Sequence, residues 1–246
     1  MSSSLLYTRF ELLRTLRNRR FFMLSLAFPL VLYLLIAVPN QHVHDIGNTG
    51  IAAPLYFMVG QISFGTMSGM LSSGARIATE RSVGWTRQLR VTPLTTRTYF
   101  RTKLLTGYMM ALITICVLNV AGATLGVSVG AGRWLEMTGL ILVGLIPFAA
   151  LGILIGHLLT PDSVGPAIGG GVALLAILGG VWGPIAQHGF FNSLAQLVPS
   201  YWLVQAGHVG VGGSAWSSKG WIVIAVWTLV ASRLAQRAYR RDTGRV

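Results

Sequence analysis

The sequence has little charge of either sign and very few acidic groups. Only 10% of its 246 residues are charged, against roughly 25% in an average soluble domain, while 53% are hydrophobic. So few charges cannot cover a water-exposed surface, which argues against a soluble globular enzyme. The aromatic content of 10%, together with many aliphatic residues, excludes a disordered chain. These absences leave a membrane protein.

Cysteine and the residue patterns of catalytic centres are also scarce. The single cysteine, Cys116, excludes an internal disulfide and a cysteine-rich metal site. Neither of the two lysines, Lys103 and Lys219, follows a glycine, so the chain has no Walker-type phosphate loop. The five histidines are scattered. We therefore expect no catalytic residues, no metal site and no cofactor bound by this chain itself.

Acidic residues are missing from the interior of the apolar runs. All six lie in tails, in loops or at the ends of runs: Glu11, Asp45, Glu80, Glu136, Asp162 and Asp242. A proton- or sodium-coupled transporter needs an ionisable group inside the membrane. The sequence therefore disfavours an ion-coupled secondary transporter.

Six apolar runs are long enough to cross a bilayer, which takes about 20 residues. They cover residues 21–38, 51–75, 104–129, 134–159, 164–182 and 219–236. The first run exceeds the apolar part of a signal peptide, and no small-residue cleavage site follows it. We predict an all-α integral membrane protein with six transmembrane helices in a single domain, residues 1–246.

The net charge of +13 is distributed unevenly along the chain. Five basic residues precede the first run, seven lie in residues 76–103 and five lie in residues 233–245, at and beyond the end of the last run, while the opposite side holds only Arg133 and, at the start of the last run, Lys219. This bias predicts that both termini and the 76–103 loop are cytoplasmic. The membrane that we expect to hold the chain is the plasma (inner) membrane. Basic blocks between apolar runs indicate membrane orientation and not nucleic-acid binding.

Two further segments differ from the six runs. Leu6, Phe10 and Leu13 recur at helical spacing among arginines, which predicts an amphipathic helix over residues 4–20 in the cytoplasmic interface, in contact with membrane lipids. A solvated basic tail is the alternative. Residues 183–218 are apolar but interrupted by proline and glycine, which predicts short re-entrant or interface-lying helices on the outer side, between spans five and six.

The basic loop after the second run contains a short segment with its own boundaries. Gly84 and Pro93 bracket a helix in which Trp85 and Leu89 lie one turn apart, and the residue before proline disfavours the helical conformation. A short helix with an aromatic side chain and basic flanks suits docking into a groove of another protein. An ordinary positively charged loop is the alternative.

The pattern Glu-Arg-x-x-Gly, then x-x-x-x-Leu-x-x-Thr-Pro-Leu, resembles the cytoplasmic coupling loop of type-2 ATP-binding-cassette (ABC) export permeases. The matching residues are Glu80, Arg81, Gly84, Leu89, Thr92, Pro93 and Leu94. Residues 197–202 similarly resemble the proline-plus-aromatic segment before the last span of that family. Members often carry a second acidic residue early in the loop, where Arg87 and Arg90 dominate here.

This resemblance implies a transport subunit and not an enzyme. In the family, the coupling helix occupies a cleft of a separate ATPase subunit, which binds ATP and Mg. Two permease chains, identical or related, combine with two ATPase subunits. We interpret Trp85 and Leu89 as apolar anchors in that cleft and Glu80, Arg87 and Arg90 as charges at its rim.

A polar-to-small stripe follows one face of the second run. It comprises Gln61, Gly65, Ser68 and Ser72, and it ends at Arg76. Polar groups facing lipid are costly, so the stripe predicts a substrate pathway, with helix packing by small residues as the alternative. Small-residue repeats elsewhere predict packing seams: Gly122, Gly126 and Gly130; Gly152 and Gly156; Gly165 and Gly169.

We therefore predict the permease subunit of an exporter that moves an amphipathic or lipophilic compound, such as a drug or a lipid, out of the cell. The neutral, aromatic outer segment favours such a cargo over a sugar polymer. The alternatives are a non-transporting membrane anchor or scaffold that recruits a cytoplasmic partner, and export of a glycolipid or polysaccharide.

Overall fold

All regular secondary structure in the described residues is helical. A computed structural model describes residues 3–47, 49–85, 88, 94–185 and 189–243. The helices are α1 (Ser3–Arg17), α2 (Arg19–Phe22), α3 (Phe28–Ala37), α4 (Ala53–Ala75), α5 (Ile77–Ser82), α6 (Thr96–Thr124), α7 (Ala131–Gly144), α8 (Ile146–Leu158), α9 (Pro161–Gly179), α10 (Phe190–Ala195), α11 (Pro199–Val209) and α12 (Ser218–Thr243). A π-helical turn, Met23–Ala27, joins α2 to α3. The predicted all-α class is confirmed.

Helix α4 lies at the centre of the fold. All of its 23 residues except Leu55, Ser68 and Ser72 are buried. Helices α3, α6, α8, α9 and α11 pack around it. Glycine and serine along α4 permit this crowding because their small side chains allow neighbouring backbones to approach closely.

Four helical stretches among the described residues are long and apolar enough to cross a membrane. They are Thr96–Thr124, Ala131–Leu158, Pro161–Gly179 and Ser218–Asp242. Ala131–Leu158 combines α7 and α8, which meet at Leu145. This composition fits an integral membrane protein.

The first two predicted spans differ from these four for physical reasons. The first contains the π-helical turn, and its apolar helix Ser25–Ala37 is short. Helix α4 extends about 34 Å at 1.5 Å per residue, but its glycines and serines make it less apolar. Because protein surrounds α4, it needs little apolarity of its own. The six-span arrangement therefore stays a prediction.

Two helices have bounds that differ clearly from the sequence-based ones. Helix α6 begins eight residues before position 104, because the Thr95 side chain accepts a hydrogen bond from the Thr98 amide and caps the helix. It ends five residues before position 129, and Gly126 follows with a positive φ of 77°. Helix α12 extends beyond position 236 through the arginine-rich end to Thr243.

The three basic segments of the chain lie at the same end of the molecule. The Arg76 Nη1 donates to the Thr15 hydroxyl at 2.9 Å, which brings the end of α4 to α1. Arg81 contacts Asp242 at 2.6 Å, which brings α5 to the end of α12. The tertiary structure therefore assembles these segments on one side, as the charge pattern requires.

Candidate functional site

The predicted docking motif begins on α5, which follows α4 after the single residue Arg76. The first two residues of the motif are Glu80 and Arg81, and they take part in two separate ionic clusters inside the chain. These clusters connect the six-residue helix α5 to four longer helices. The site is built around them.

The first cluster, here called the Lys103 cluster, consists of Glu11, Glu80, Tyr99 and Lys103. The Lys103 ammonium donates to Glu11 Oε1 at 2.8 Å and also to Glu80 Oε1. The Tyr99 hydroxyl donates to Glu80 Oε2 at 2.6 Å. One lysine therefore holds together carboxylates from α1 and α5.

Burial makes this cluster unusual. Lys103 is 2% exposed, Glu80 is 3% and Glu11 is 4%. Arg14 and Arg76 lie 3.7 and 3.9 Å from Glu11, at the edge of the cluster, where their positive charges help to balance the two carboxylates. Burial by itself raises the pKa of Glu11, but Lys103, Arg76 and Arg14 together hold it below its ordinary value. Removing one partner of a buried ion pair costs about 3–5 kcal/mol.

The second cluster joins Arg81 to the end of α12. Arg81 Nη2 lies 2.6 Å from Asp242 Oδ1 and Nε lies 2.6 Å from Oδ2, which is a bidentate pair. Its remaining Nη1 donates to the carbonyl oxygens of Gly156 and His157, at 3.2 and 2.8 Å, at the end of α8. The His157 ring nitrogen Nδ1 also lies 3.0 Å from Asp242. The guanidinium thus fixes α5 against α8 and α12.

Beyond α5 the motif turns at Gly84. Its φ of 73° lies in the left-handed region, which glycine adopts without strain. Trp85 is partly buried, and its indole lies next to the Tyr7 hydroxyl of α1, although the two groups do not reach hydrogen-bond geometry. Burial, reinforced by the carboxylates of Glu11 and Glu80, raises the pKa of Tyr7. Trp85 therefore has a contact within the chain.

Glu80 does not occupy the rim position predicted from the sequence. Its carboxylate is buried with Lys103 and Tyr99, so it is not available as a solvent-exposed charge. Leu94 is half-exposed just before α6. The other motif residues lie outside the described residues: Arg87, Leu89, Arg90, Thr92 and Pro93.

The stripe on α4 is divided between buried and half-exposed positions. Gln61 is fully buried, and its amide nitrogen and oxygen have no hydrogen-bond partner among the residues that the structure describes. Gly65 faces the first span and α6, since an added Cβ would lie 2.8 Å from Thr114 Cγ2 and 3.1 Å from Pro29 Cγ. Ser68 and Ser72 are half-exposed. Gly65 therefore packs against other helices, while the two serines are accessible.

The predicted glycine seams behave differently from one another. Gly152 and Gly156 form a seam with α4, because a Cβ on Gly152 would lie 2.6 Å from the Leu71 carbonyl oxygen and one on Gly156 2.7 Å from that of Gly74. That seam is confirmed. An added Cβ on Gly122 would lie 2.4 Å from the Met58 sulfur, whereas one on Gly126 or Gly130 would meet no described atom within 4 Å.

The predicted seam of Gly165 and Gly169 on α9 has no neighbouring helix within the described chain. An added Cβ on Gly165 or Gly169 would meet nothing within 4 Å there. A contact of this face with a second chain stays a prediction.

Sequence reasoning missed the central residue of the site. In the sequence Lys103 is one of the seven basic residues of the 76–103 loop, yet in the structure it is buried near the start of α6. Its partner Glu11 lies 92 residues earlier in the chain. One feature of the sequence does point to Lys103: lysine is rare in this chain, which has 17 arginines and only two lysines. Lysine has a compact ammonium with three donors, which suits two converging carboxylates.

The chain is similar to known membrane transport proteins over most of its length. A family model described as "ABC-2 type transporter" matches residues 4–210. The chain is also 28% identical over 237 residues to "Putative transport permease YvfS" of Bacillus subtilis (strain 168). That alignment covers 94% of this chain and 95% of the relative. The family match includes α1, α5 and α11.

Proposed function

The chain belongs to the ABC-2 type transporter family, and we propose that it is the membrane-spanning permease subunit of an ATP-driven exporter. It is a multi-pass membrane transport protein and a transport subunit, not an enzyme. Permeases of this family usually work with an ATPase subunit. The continuous family match from α1 through the motif to α11 carries the proposal.

Residues 80–94 are the proposed docking segment for the ATPase. Trp85 and Leu89 serve as apolar anchors, and Arg87 and Arg90 as rim charges. The two ionic clusters support this role, because they attach α5 to the long helices α6, α8 and α12. Through these contacts, a movement of the docking segment is transmitted to the membrane helices. The complete transporter contains two permease chains and two ATPase subunits, which bind ATP and Mg.

The proposed orientation has six spans with both termini in the cytoplasm, in the plasma (inner) membrane. The meeting of all three basic segments at one end of the molecule supports it.

The proposed cargo is amphipathic or lipophilic and moves outward. The exposed side chains of Phe190 and Phe191 on α10 support an apolar outer segment, since they are 75% and 74% exposed.

Purification of the tagged chain with its associated subunits tests this function. In mild detergent, we expect an ATP-hydrolysing, nucleotide-binding subunit to be recovered with the chain in equal amounts. The complex should hydrolyse ATP in a vanadate-sensitive manner. Recovery of the folded chain with other proteins but without such a subunit or such hydrolysis would support the scaffold and contradict the exporter.

The proposed substrate pathway follows Gln61, Gly65, Ser68 and Ser72. The buried amide of Gln61, which has no hydrogen-bond partner among the described residues, supports it, because such groups in proteins nearly always find one. We expect Ser68→Leu or Ser72→Leu to change ATP hydrolysis stimulated by lipophilic dyes while leaving complex assembly intact. Both serines are half-exposed, so a larger side chain fits the fold.

The matched control for the serine variants is Ile62→Leu, a substitution of equal volume on the same helix but off the stripe. It should leave dye-stimulated hydrolysis unchanged. If Ile62→Leu and Ser72→Leu had equal effects, the stripe would be a packing surface and not a pathway.

A further inference from the structure

Helix α1 is attached to the rest of the protein through its polar face. Glu11 and Thr15 are buried, and the Thr8 and Thr102 hydroxyls lie 3.0 Å apart across the contact with α6. Five apolar residues of α1 are exposed instead, Leu5, Leu6, Phe10, Leu13 and Leu16, while Leu12 is half-buried. The five exposed residues therefore do not hold α1 on the protein, whereas the buried polar contacts do.

The Lys103 cluster lies at the point where α1, α5 and α6 meet. Lys103 contributes from the second turn of α6, Glu11 from α1 and Glu80 from α5. Helix α5 has only six residues and is followed by the turn at Gly84, so it has little rigidity of its own. Its orientation relative to α1 and α6 depends on what its side chains contact.

We propose that Lys103 is a positioning residue that joins α1, α5 and the start of α6 into one rigid unit, so that movement of the docking segment is passed to α6. The inference rests on the proposed function for its role in transport. It assigns no contact between Lys103 and either ATP or cargo. Glu11 is the second positioning residue of the unit.

Charge balance explains why the unit depends on Lys103. Without the ammonium, the buried carboxylates of Glu11 and Glu80 face each other, and Arg14 and Arg76 are the remaining nearby cations in the described part of the chain. Like charges in a buried setting either separate or take up a proton. Either response removes the charge-assisted contact through the ammonium that joins α1 to α5. Removing the Glu11 charge alone leaves the Lys103–Glu80 pair in place and should loosen the unit less.

Cysteine cross-linking measures the rigid unit without any ATPase. The variant Thr8→Cys/Thr102→Cys, with Cys116→Ala to remove the native thiol, places two thiols where hydroxyls are 3.0 Å apart. We expect rapid disulfide formation in the full-length chain. Adding Lys103→Met should slow it at least about fivefold, the lower end of ordinary coupling effects. Adding Lys219→Met, which replaces the exposed lysine instead, should leave the rate of disulfide formation unchanged.

ATP hydrolysis by the assembled complex measures the consequence for coupling. The double-cysteine chain, once oxidised, should retain hydrolysis, because the linked helices already move together. Lys103→Met should lower hydrolysis stimulated by the permease at least about fivefold at equal subunit content, with Glu11→Gln giving a smaller decrease. Glu11→Gln also tests the unit if Lys103→Met does not fold, since it should slow cross-linking relative to Lys219→Met.

Three results would overturn the inference: cross-linking at an unchanged rate in Lys103→Met, hydrolysis abolished by the disulfide, or normal stimulated hydrolysis in Lys103→Met. A wild-type chain that binds no ATPase instead overturns the proposed function. That result is read from the wild-type sample alone, and the cross-linking rates still decide whether Lys103 holds the unit together.

Discussion

Replacing Gly74 with alanine is expected to destabilise the folded chain by about 3 kcal/mol, at the upper end of typical overpacking penalties. An added Cβ would lie 2.5 Å from the Gly152 carbonyl carbon and from the Ile153 nitrogen. Both atoms belong to the α8 backbone, which cannot move without separating α8 from α4. The loss of thermal stability is measured by fluorescence-detected size-exclusion chromatography after heating in detergent.

Gly69→Ala is the matched control on the same helix. Its Cβ would meet Met110 Cβ at 3.7 Å, which is ordinary van der Waals contact. Alanine also restricts the unfolded chain, so we expect no loss of stability, or a gain of roughly 0.5 kcal/mol. Equal heat resistance of Gly74→Ala and Gly69→Ala would show that α4 and α8 do not approach as closely as described.

Replacing Trp85 with alanine is expected to remove the ATPase from the purified complex or to uncouple its hydrolysis from the permease. Truncating a buried aromatic anchor at an interface typically costs about 2 kcal/mol or more, which lowers affinity roughly 30-fold. Arg87→Ala removes a proposed rim charge and should act mildly, with an effect that disappears at high salt. Subunit ratios after purification at low and high salt distinguish the two.

Trp85 also lies beside Tyr7, so loss of the indole could disturb α1 without any docking role. Tyr7→Phe separates these explanations, because it removes the hydroxyl next to the indole and keeps Trp85 available. It should leave ATPase recovery unchanged. Trp221→Ala, at a half-exposed tryptophan of α12, controls for the general loss of a large side chain. If Trp85→Ala retained the ATPase as well as Trp221→Ala does, Trp85 would not be an anchor.

Local patterns in the sequence were sufficient to predict the class of the protein and much of its helical structure. Apolar runs indicate membrane helices because the insertion of a segment into lipid depends on its own length and composition. The motif starting at Glu80 was recognisable for a similar reason, since its spacing is contained within 15 consecutive residues. The family match confirms the recognition.

The same small-residue spacing on two helices shows what local sequence patterns cannot predict. Gly152 and Gly156 form a close seam with α4, while Gly165 and Gly169 meet nothing within the described chain. A Gly-x-x-x-Gly repeat permits close approach, but it does not specify the neighbour. Which helix fills the space depends on how all the others pack.

Only the tertiary structure decided which charges pair with each other. Lys103 pairs with Glu11 across 92 residues, and Arg81 pairs with Asp242 across 161. In the sequence these are unremarkable charges near the ends of apolar runs. A charge becomes costly, and its partner essential, only once folding has removed water from around it. The sequence alone therefore identified the type of protein and the motif for which docking is proposed, whereas the fold determined how that motif is joined to the membrane helices.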